Sequence, residues 1–194
     1  IPDIAHRDTA HGLASIGRGP LRDPFERYVV RYCAKRKKVR KEGYGLVFSG
    51  DNGSGKTTFL SFVLTQMLRR GQSVYYTTLG QLDLDIKRSF RDPGLERRLD
   101  ELLASDFIAI DEVGKEHFRS DSYLMGRFEL LLKTRYDDGD PTLLATNMEY
   151  EALCEHYGMT PTRNNRGVAH EIVGDVRGMG IMRGLELVKD RKTK

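Results

Sequence analysis

The stretch FSGDNGSGKTTF, Phe48 to Phe59, contains the segment Gly50–Thr57, which matches the pattern GxxxxGK(S/T) at every specified position. It follows a short apolar run, YGLVFS (44–49), and opens a segment in which apolar residues recur at helical spacing (56–70). Glycines in such a loop let backbone N–H groups surround a phosphate, and the helix N-terminus adds partial positive charge. We therefore predict a nucleotide-binding loop rather than an ordinary glycine-rich turn. The residues predicted to contact the phosphates are Gly50, Asp51, Asn52, Gly53, Ser54, Gly55, Lys56, Thr57 and Thr58.

A magnesium site is expected beside this loop. In loops of this type the lysine, here Lys56, reaches the β- and γ-phosphates, and the hydroxyl that follows, here on Thr57, coordinates Mg²⁺. The run FIAIDE (107–112) predicts an apolar strand that ends in two carboxylates. Asp111 at the end of that strand is predicted to bind Mg²⁺ through water. A cap for the following turn is the alternative role for this carboxylate pair.

Two residues are candidates for activating water. Glu112 is predicted to be the general base that polarises the attacking water, and Lys56 and Asn147 complete the predicted catalytic set. Asn147 follows the apolar run LLAT, so its amide is expected at the edge of the sheet near the γ-phosphate. A turn asparagine without catalytic function is the alternative interpretation of Asn147.

The nucleotide is expected to be ATP. The run DEVG (111–114) also fits the DxxG pattern of GTPases, but the sequence holds no guanine-specifying NKxD, and TNME (146–149) lacks the required lysine and aspartate. Two other functions stay open. One is a nucleotide-binding switch or scaffold with little turnover, and the other is a P-loop kinase, although no arginine-rich lid follows the third strand.

Strands that alternate with helices predict a mainly parallel sheet with helices on both faces. The expected fold class is α/β, a three-layer P-loop NTPase in which the lid domain is absent or truncated. A basic helix is expected before the first strand, with Pro24 in its first turn and Gly43 at its end. The predicted strands are 44–49, 73–78, 106–111 and 141–147, and the predicted long helices are 56–70 and 120–139.

Composition favours a cytoplasmic protein with an acidic partner. The 194 residues carry a net charge of +4, and no apolar run approaches the roughly 20 residues that a membrane helix needs. The two cysteines, Cys33 and Cys154, form no cluster, which argues against a disulfide framework or a zinc site. The run KRKKVRK (35–41) holds six basic residues in seven, typical either of a phosphate-contacting surface or of a solvated helix end.

Three longer segments carry a resemblance to a known family. They read GQSVYYTTLGQL (71–82), LLASDFIAIDEVGKE (102–116) and FELLLKTRYDDGDPTLLATNMEYEALCEHYG (128–158). Together with the phosphate loop, they resemble the AAA+ ATPases of the DnaC-type helicase loaders and IstB-type transposition helper proteins, over about residues 40 to 158. The resemblance places Lys56 and Thr57 in the Walker A motif, Asp111 and Glu112 in Walker B, and Asn147 at sensor 1.

The resemblance implies an ATPase that uses ATP and Mg²⁺ and works as a homo-oligomer beside a replicative helicase or a transposase. It also implies binding to single-stranded or duplex DNA, of which single-stranded DNA is the form we expect. Glu112 replaces the aspartate common in the loaders, and glutamate is usual across AAA+ proteins, which favours hydrolysis. The best candidates for DNA contact are residues 35–41. The next candidates are Arg88, Arg91, Arg97 and Arg98.

The resemblance also implies an arginine that a neighbouring subunit supplies to the site. Arg163 and Arg166 occupy the expected region, and Arg135 matches an arginine of the family, with helix-end packing as its alternative role. The tail EIVGDVRGMGIMRGLELVKDRKTK (171–194) resembles a segment of class III PLP-dependent aminotransferases, but the chain has no room for that fold. We expect a poorly docked tail, with a short strand at GLELV as the alternative. The predicted division is 1–42 lead-in and basic helix, 43–158 ATPase core, and 159–194 atypical tail.

Overall fold

The computed structural model describes residues 24–89, 91–115, 122–149, 152–153, 156, 173–179 and 182–187. Each of the four strands and the two long helices predicted above is present, with bounds that differ from the prediction by at most two residues. The helices are α1 (Pro24–Ala34), α2 (Arg36–Glu42), α3 (Lys56–Leu68), α4 (Leu79–Ser89), α5 (Pro93–Ala104) and α6 (Ser122–Asp138). The strands are β1 (Gly45–Gly50), β2 (Val74–Thr78), β3 (Phe107–Val113), β4 (Thr142–Thr146), β5 (Val173–Met179) and β6 (Met182–Leu187).

The sheet has the strand order β2-β3-β4-β1-β6-β5. The first four strands in that order are parallel, with β1 beside β4, β4 beside β3 and β3 beside β2. Carboxyl ends of neighbouring parallel strands meet at one edge of a sheet, where open α/β folds bind their ligands. The phosphate loop after β1, the carboxylates at the end of β3 and the asparagine after β4 are therefore brought to the same edge.

Apolar side chains from alternate positions of the strands cover both faces of the sheet. On β3, Phe107 and Ala109 join a core with α1, α2 and α3, whereas Ile108 and Ile110 join a core with α4, α5 and α6. This alternation is the period of two that a strand buried on both faces requires. The predicted three-layer α/β fold of the P-loop class is confirmed.

The basic segment before β1 forms two helices instead of one. A turn at Lys35 separates α1 from α2, and α2 ends at Gly43, whose φ of 66° is left-handed. A Cβ at Gly43 would lie 3.0 Å from the Cα of Gly139, so glycine suits both the helix end and the close approach. Val39 is buried while the lysines around it are exposed, which fixes the basic side chains on the outer surface of α2.

The C-terminal segments that the structure describes form two strands of the sheet. Strands β5 and β6 pair with each other antiparallel, and β6 pairs antiparallel along the whole of β1, from Gly45 opposite Leu187 to Gly50 opposite Met182. These segments therefore belong to the sheet, and the expectation of a poorly docked tail was wrong for them. The physical reason is that one side of β1 would otherwise present a row of unpaired N–H and C=O groups. The proposed boundary between 158 and 159 stays a prediction.

No helix among the described residues combines the length and the apolar character needed to cross a membrane.

Candidate functional site

The phosphate loop and the carboxyl ends of β3 and β4 enclose a cleft of about 270 Å³. The loop turns through left-handed glycines, Gly53 at φ 80° and Gly55 at φ 89°, where a Cβ would be strained. Gly55 caps α3 without a side-chain hydrogen bond, so the first N–H groups of α3 are left for a ligand. The cleft is lined by Asn52, Gly53, Gly55, Lys56, Thr57, Thr58, Asp111, Glu112, Lys115, Ala145, Thr146 and Asn147.

Groups of the phosphate loop hold the Lys56 side chain in place. Its Nζ donates to the carbonyl oxygens of Gly50 and Asp51, both at 2.7 Å, and to Ser54 Oγ at 3.3 Å. Burial lowers the pKa of Lys56 below its ordinary value, and the charges of Asp111 and Asp51 oppose that shift. The loop backbone therefore surrounds the Lys56 ammonium group, which places a positive charge where phosphate oxygens are expected to bind.

The two predicted Mg²⁺ ligands are in direct contact. Thr57 Oγ1 donates a hydrogen bond of 2.6 Å to Asp111 Oδ2, although the two residues are 54 positions apart in sequence. The backbone N–H of Glu112 donates to Asp111 Oδ1 at 2.7 Å. Because the hydroxyl proton points at the carboxylate, the lone pairs of Thr57 Oγ1 are left for a cation.

This donor set suits Mg²⁺ better than a metal that needs an all-protein cage. Mg²⁺ prefers oxygen ligands and usually binds through one or two protein groups together with water and substrate phosphates. Thr57 and Asp111 supply one hydroxyl and one carboxylate beside the phosphate loop. Within the part of the chain that the structure describes, no cluster of three or more His, Cys, Asp or Glu forms an alternative metal site. The residues present therefore fit the expected ion.

Glu112 sits at an irregularity that turns its side chain out of the strand. Its φ is 61°, left-handed for a residue with a side chain, and the register between β3 and β4 shifts between Ile110 and Val113. Such strain persists where the surrounding structure fixes it, often at functional sites. The Glu112 carboxylate is half exposed and accepts a hydrogen bond of 2.6 Å from Lys115 Nζ. An exposed pair of this kind contributes about 0.5 kcal/mol, so the carboxylate can exchange this partner for water.

Asn147 lines the same cleft, in a turn tied to β1 and to the end of β3. Ser49 Oγ donates 2.6 Å to the carbonyl oxygen of Met148, and the Met148 N–H donates to Thr146 Oγ1 at 3.0 Å. A Cβ at Gly114 would lie 2.4 Å from Met148 Sδ, so the turn after β3 also packs against the asparagine turn. The position of Asn147 therefore depends on both neighbouring strands.

Of the three arginines considered for action on a neighbouring subunit, Arg135 is the one that the structure describes. Arg135 is 1% exposed, and its guanidinium donates to Thr142 Oγ1, the Leu103 carbonyl and the Pro141 carbonyl at 3.0 to 3.2 Å. A side chain so enclosed cannot reach the nucleotide of a neighbouring subunit, so packing of the end of α6 against β4 is its role here. Arg163 and Arg166 lie outside the described residues.

Three residues that the sequence did not single out belong to this neighbourhood. Tyr76 donates from its hydroxyl to Asp111 Oδ2 at 3.1 Å, Lys115 pairs with Glu112, and Ser49 holds the asparagine turn. Ser49 directly precedes Gly50 of the phosphate loop, and Lys115 directly follows DEVG (111–114). Their position next to a motif was therefore the sequence signal that could have identified both residues. Tyr76 carried no such signal, because its contact depends on the register of β2 against β3.

The sequence profile of the family described as IstB-like ATP binding protein matches residues 37–159. This chain belongs to the IstB-like ATP-binding family. The matched region contains the phosphate loop, both carboxylates and Asn147, and the fold is that of AAA+ P-loop ATPases.

Replicative helicase loaders are among the proteins that the chain resembles. The loader DnaC of Escherichia coli (strain K12) is 28% identical over 114 residues, which are 58% of this chain and 46% of DnaC. The loader DnaI of Bacillus subtilis (strain 168) is 25% identical over 134 residues, 68% of this chain and 40% of DnaI. A crystal structure of DnaI superposes with a TM-score of 0.62 at 22% identity, over 76% of this chain and 79% of that one. The chain thus spans less than half the length of these curated relatives.

Proposed function

We propose that this chain is a Mg²⁺-dependent ATPase that acts on DNA as an oligomer, beside a replicative helicase or a transposase. The observation that carries the proposal is the 2.6 Å hydrogen bond between Thr57 Oγ1 and Asp111 Oδ2. It joins the phosphate loop to the carboxylate strand at one cleft, which also holds Glu112 and Asn147. ATP-binding ability follows from the family; hydrolysis, DNA association and assembly are the proposed parts.

Each residue of the cleft has a proposed task. Lys56 and the N–H groups at the start of α3 bind the β- and γ-phosphates, and Thr57 and Asp111 hold Mg²⁺, which neutralises phosphate charge when bound. Glu112 takes a proton from water, with its half-exposed carboxylate facing the cleft. Asn147 orients that water by a hydrogen bond from its amide. Positioning and electrostatics account for most of the rate of such reactions, and these groups are the part of that machinery that one subunit supplies.

A neighbouring subunit is proposed to complete the site. A positive charge supplied in trans is worth orders of magnitude in the rate of phosphoryl transfer. Among the described residues, the one arginine that had been a candidate for this role, Arg135, is buried. Arg163 and Arg166 remain the candidates that we propose.

The test is steady-state ATP turnover by the purified chain across protein concentrations, with and without single-stranded DNA. The proposal expects the specific rate to rise with both concentration and DNA. A flat rate near zero with tight ATP binding would refute hydrolysis. A phosphorylated acceptor in place of free phosphate would refute the ATPase in favour of a kinase.

The proposed DNA surface is the outer face of α2 together with the end of α3. Arg40 links the two regions, with Nη1 3.4 Å from Gln72 Oε1 and Nη2 2.8 Å from Asp106 Oδ1. Around this link stand exposed cations, which suit the phosphate backbone of a nucleic acid. They are Lys35, Lys37, Lys38, Lys41, Arg69 and Arg70.

The second predicted set of basic residues lies elsewhere. Arg88 lies in the last turn of α4, and Arg97 and Arg98 lie on α5, on the opposite face of the sheet from α2 and α3. Arg98 also pairs with Asp85 at 3.5 Å. The two sets therefore form separate surfaces, and the denser one on α2 is the surface we propose for DNA.

A matched pair of triple variants tests this surface. Replacing Lys35, Lys37 and Lys41 by glutamate is expected to weaken single-stranded DNA binding at least 10-fold. If each lysine neutralises one phosphate, the slope of log affinity against log salt should become shallower by about 2, since each contact contributes about 0.7. The control replaces Arg88, Arg91 and Arg97 by glutamate and is expected to change the affinity for single-stranded DNA less than twofold. Greater weakening by the control would refute the assignment.

One observation bears on the switch alternative. The ion pair from Lys115 to Glu112 at 2.6 Å competes with water for the proposed base, and a pair worth about 0.5 kcal/mol would lower turnover about twofold. The Lys115→Met variant separates the two functions. A slow ATPase restrained by this pair should turn over faster without it, whereas a non-hydrolysing switch should show no rate in either form.

The partner class is the broadest part of the proposal. The relatives named as helicase loaders favour a replicative helicase, whereas the sequence resemblance to IstB-type transposition helper proteins favours a transposase. Both machines work on DNA in the cytoplasm, which is the compartment we propose. Capture of one purified partner by the ATP-bound chain, with the other as competitor, distinguishes them.

A further inference from the structure

A tyrosine on β2 reaches the metal-binding carboxylate from a neighbouring strand. In the parallel pair, Tyr76 lies opposite Ala109 and Thr78 lies opposite Asp111. Residues paired across strands present their side chains on the same face, and diagonal neighbours about 7–8 Å apart stay within reach of aromatic side chains. Tyr76 thus extends along the sheet past Ala109, whose methyl group leaves room for the ring, and its hydroxyl lies 3.1 Å from Asp111 Oδ2.

The surroundings of Tyr76 fix the direction of this contact. The ring is half-buried and packs against the core that contains Ala109 and Leu60. The Tyr76 hydroxyl is the donor of this hydrogen bond and Asp111 Oδ2 is the acceptor. A tyrosine that is wedged between a core and one hydrogen bond has few alternative rotamers.

The Asp111 carboxylate is consequently fixed at both oxygens. Oδ2 accepts from Thr57 and from Tyr76, and Oδ1 accepts from the Glu112 backbone. Thr57 and Glu112 belong to the recognised motifs, but Tyr76 stands outside them. Outer-shell partners of this kind orient metal ligands, and their loss typically costs 10- to 100-fold in metal affinity or activity.

We propose that Tyr76 is a positioning residue for the Mg²⁺ site, holding the Asp111 carboxylate in the orientation that binds the hydrated ion beside Thr57. It acts through Asp111 and is not among the residues that line the cleft. The inference rests on the proposed Mg²⁺–ATP site and adds a residue that distinguishes metal binding from nucleotide binding.

The experiment compares the full chain with Tyr76→Phe and Tyr75→Phe, using a fluorescent methylanthraniloyl ATP. Tyr75 is the matched control, because it loses the same hydroxyl from the same strand but packs with the core on the opposite face. Nucleotide affinity is measured in EDTA and then during titration with Mg²⁺, with Mn²⁺ electron paramagnetic resonance as a second readout of the ion.

Tyr76→Phe is expected to raise the Mg²⁺ concentration at half-saturation about 10-fold and to leave affinity in EDTA unchanged. Tyr75→Phe is expected to match the unmodified chain in both. A Mg²⁺ midpoint within twofold of the unmodified chain would refute the role of Tyr76. An equal loss of affinity in EDTA would also refute it, by showing a packing role. If the unmodified chain binds nucleotide with no Mg²⁺ dependence, the proposed function fails as well.

Discussion

Replacing Arg135 by methionine should destabilise the fold without disabling the chemistry. The side chain is 1% exposed and donates three hydrogen bonds, at 3.2, 3.0 and 3.2 Å, to Thr142 Oγ1, Leu103 O and Pro141 O. At a net contribution of about 1 kcal/mol for each bond, their loss lowers the free energy of unfolding by about 3 kcal/mol. Methionine keeps most of the buried stem, so a large cavity is avoided. For a chain of this size, 1 kcal/mol shifts Tm by about 2–4 °C, so a drop of about 9 °C is expected.

Urea unfolding followed by circular dichroism gives the free energy, and calorimetry gives Tm. Lys133→Met is the control, since Lys133 is exposed on the same helix and its loss should cost less than about 0.5 kcal/mol. ATP turnover per folded molecule at 15 °C should match the unmodified chain. Unchanged stability with turnover lost would refute the argument, because that pattern belongs to an arginine acting on a neighbour's nucleotide.

Two further predictions concern the core and the turn after β3. Burial raises the pKa of the Cys33 thiol to about 12. In a Cys154→Ser background, the folded chain should therefore resist a thiol reagent at pH 8 and react only as it unfolds. Rapid labelling without urea would contradict this prediction. Gly114→Ala places a side chain at φ 87° and within 2.4 Å of Met148 Sδ, so a loss of about 1–2 kcal/mol is expected, with turnover reduced more than ATP affinity. Gly126→Ala is its control, because a Cβ there meets open space in a helix and should stabilise by about 0.5–1 kcal/mol. Turnover that is unchanged by Gly114→Ala would refute the coupling between the two turns.

Local patterns in the sequence predicted most of the fold. Each strand of the parallel sheet is a short apolar run bounded by glycine or polar residues, and each lies within two residues of its predicted place. The phosphate loop, the strand ending in Asp111 and the strand before Asn147 all follow from chain order, since parallel strands bring these ends together. The predicted cleft residues could thus be collected without knowing any distance.

Contacts across the sheet could not be predicted in the same way. Tyr76 reaches Asp111 because of one particular register and a small residue between them, and the sequence states neither. Arg135 finds its three acceptors on separate segments, one of them 32 residues away. The pairing of β6 with β1 joins segments more than 130 residues apart, beyond the reach of any local pattern.

Activation of water by Glu112 at a Mg²⁺–ATP site is the central step of the proposed function. The most direct test is phosphate release and ATP affinity for Glu112→Gln, with Glu129→Gln on the exposed side of α6 as control, both measured with single-stranded DNA. Loss of a general base typically costs 10²- to 10⁴-fold. The release rate of Glu112→Gln is expected to be at least about 100-fold lower than that of the unmodified chain, with ATP affinity within about threefold and the control unchanged. Equal release rates for Glu112→Gln and the unmodified chain would contradict this step.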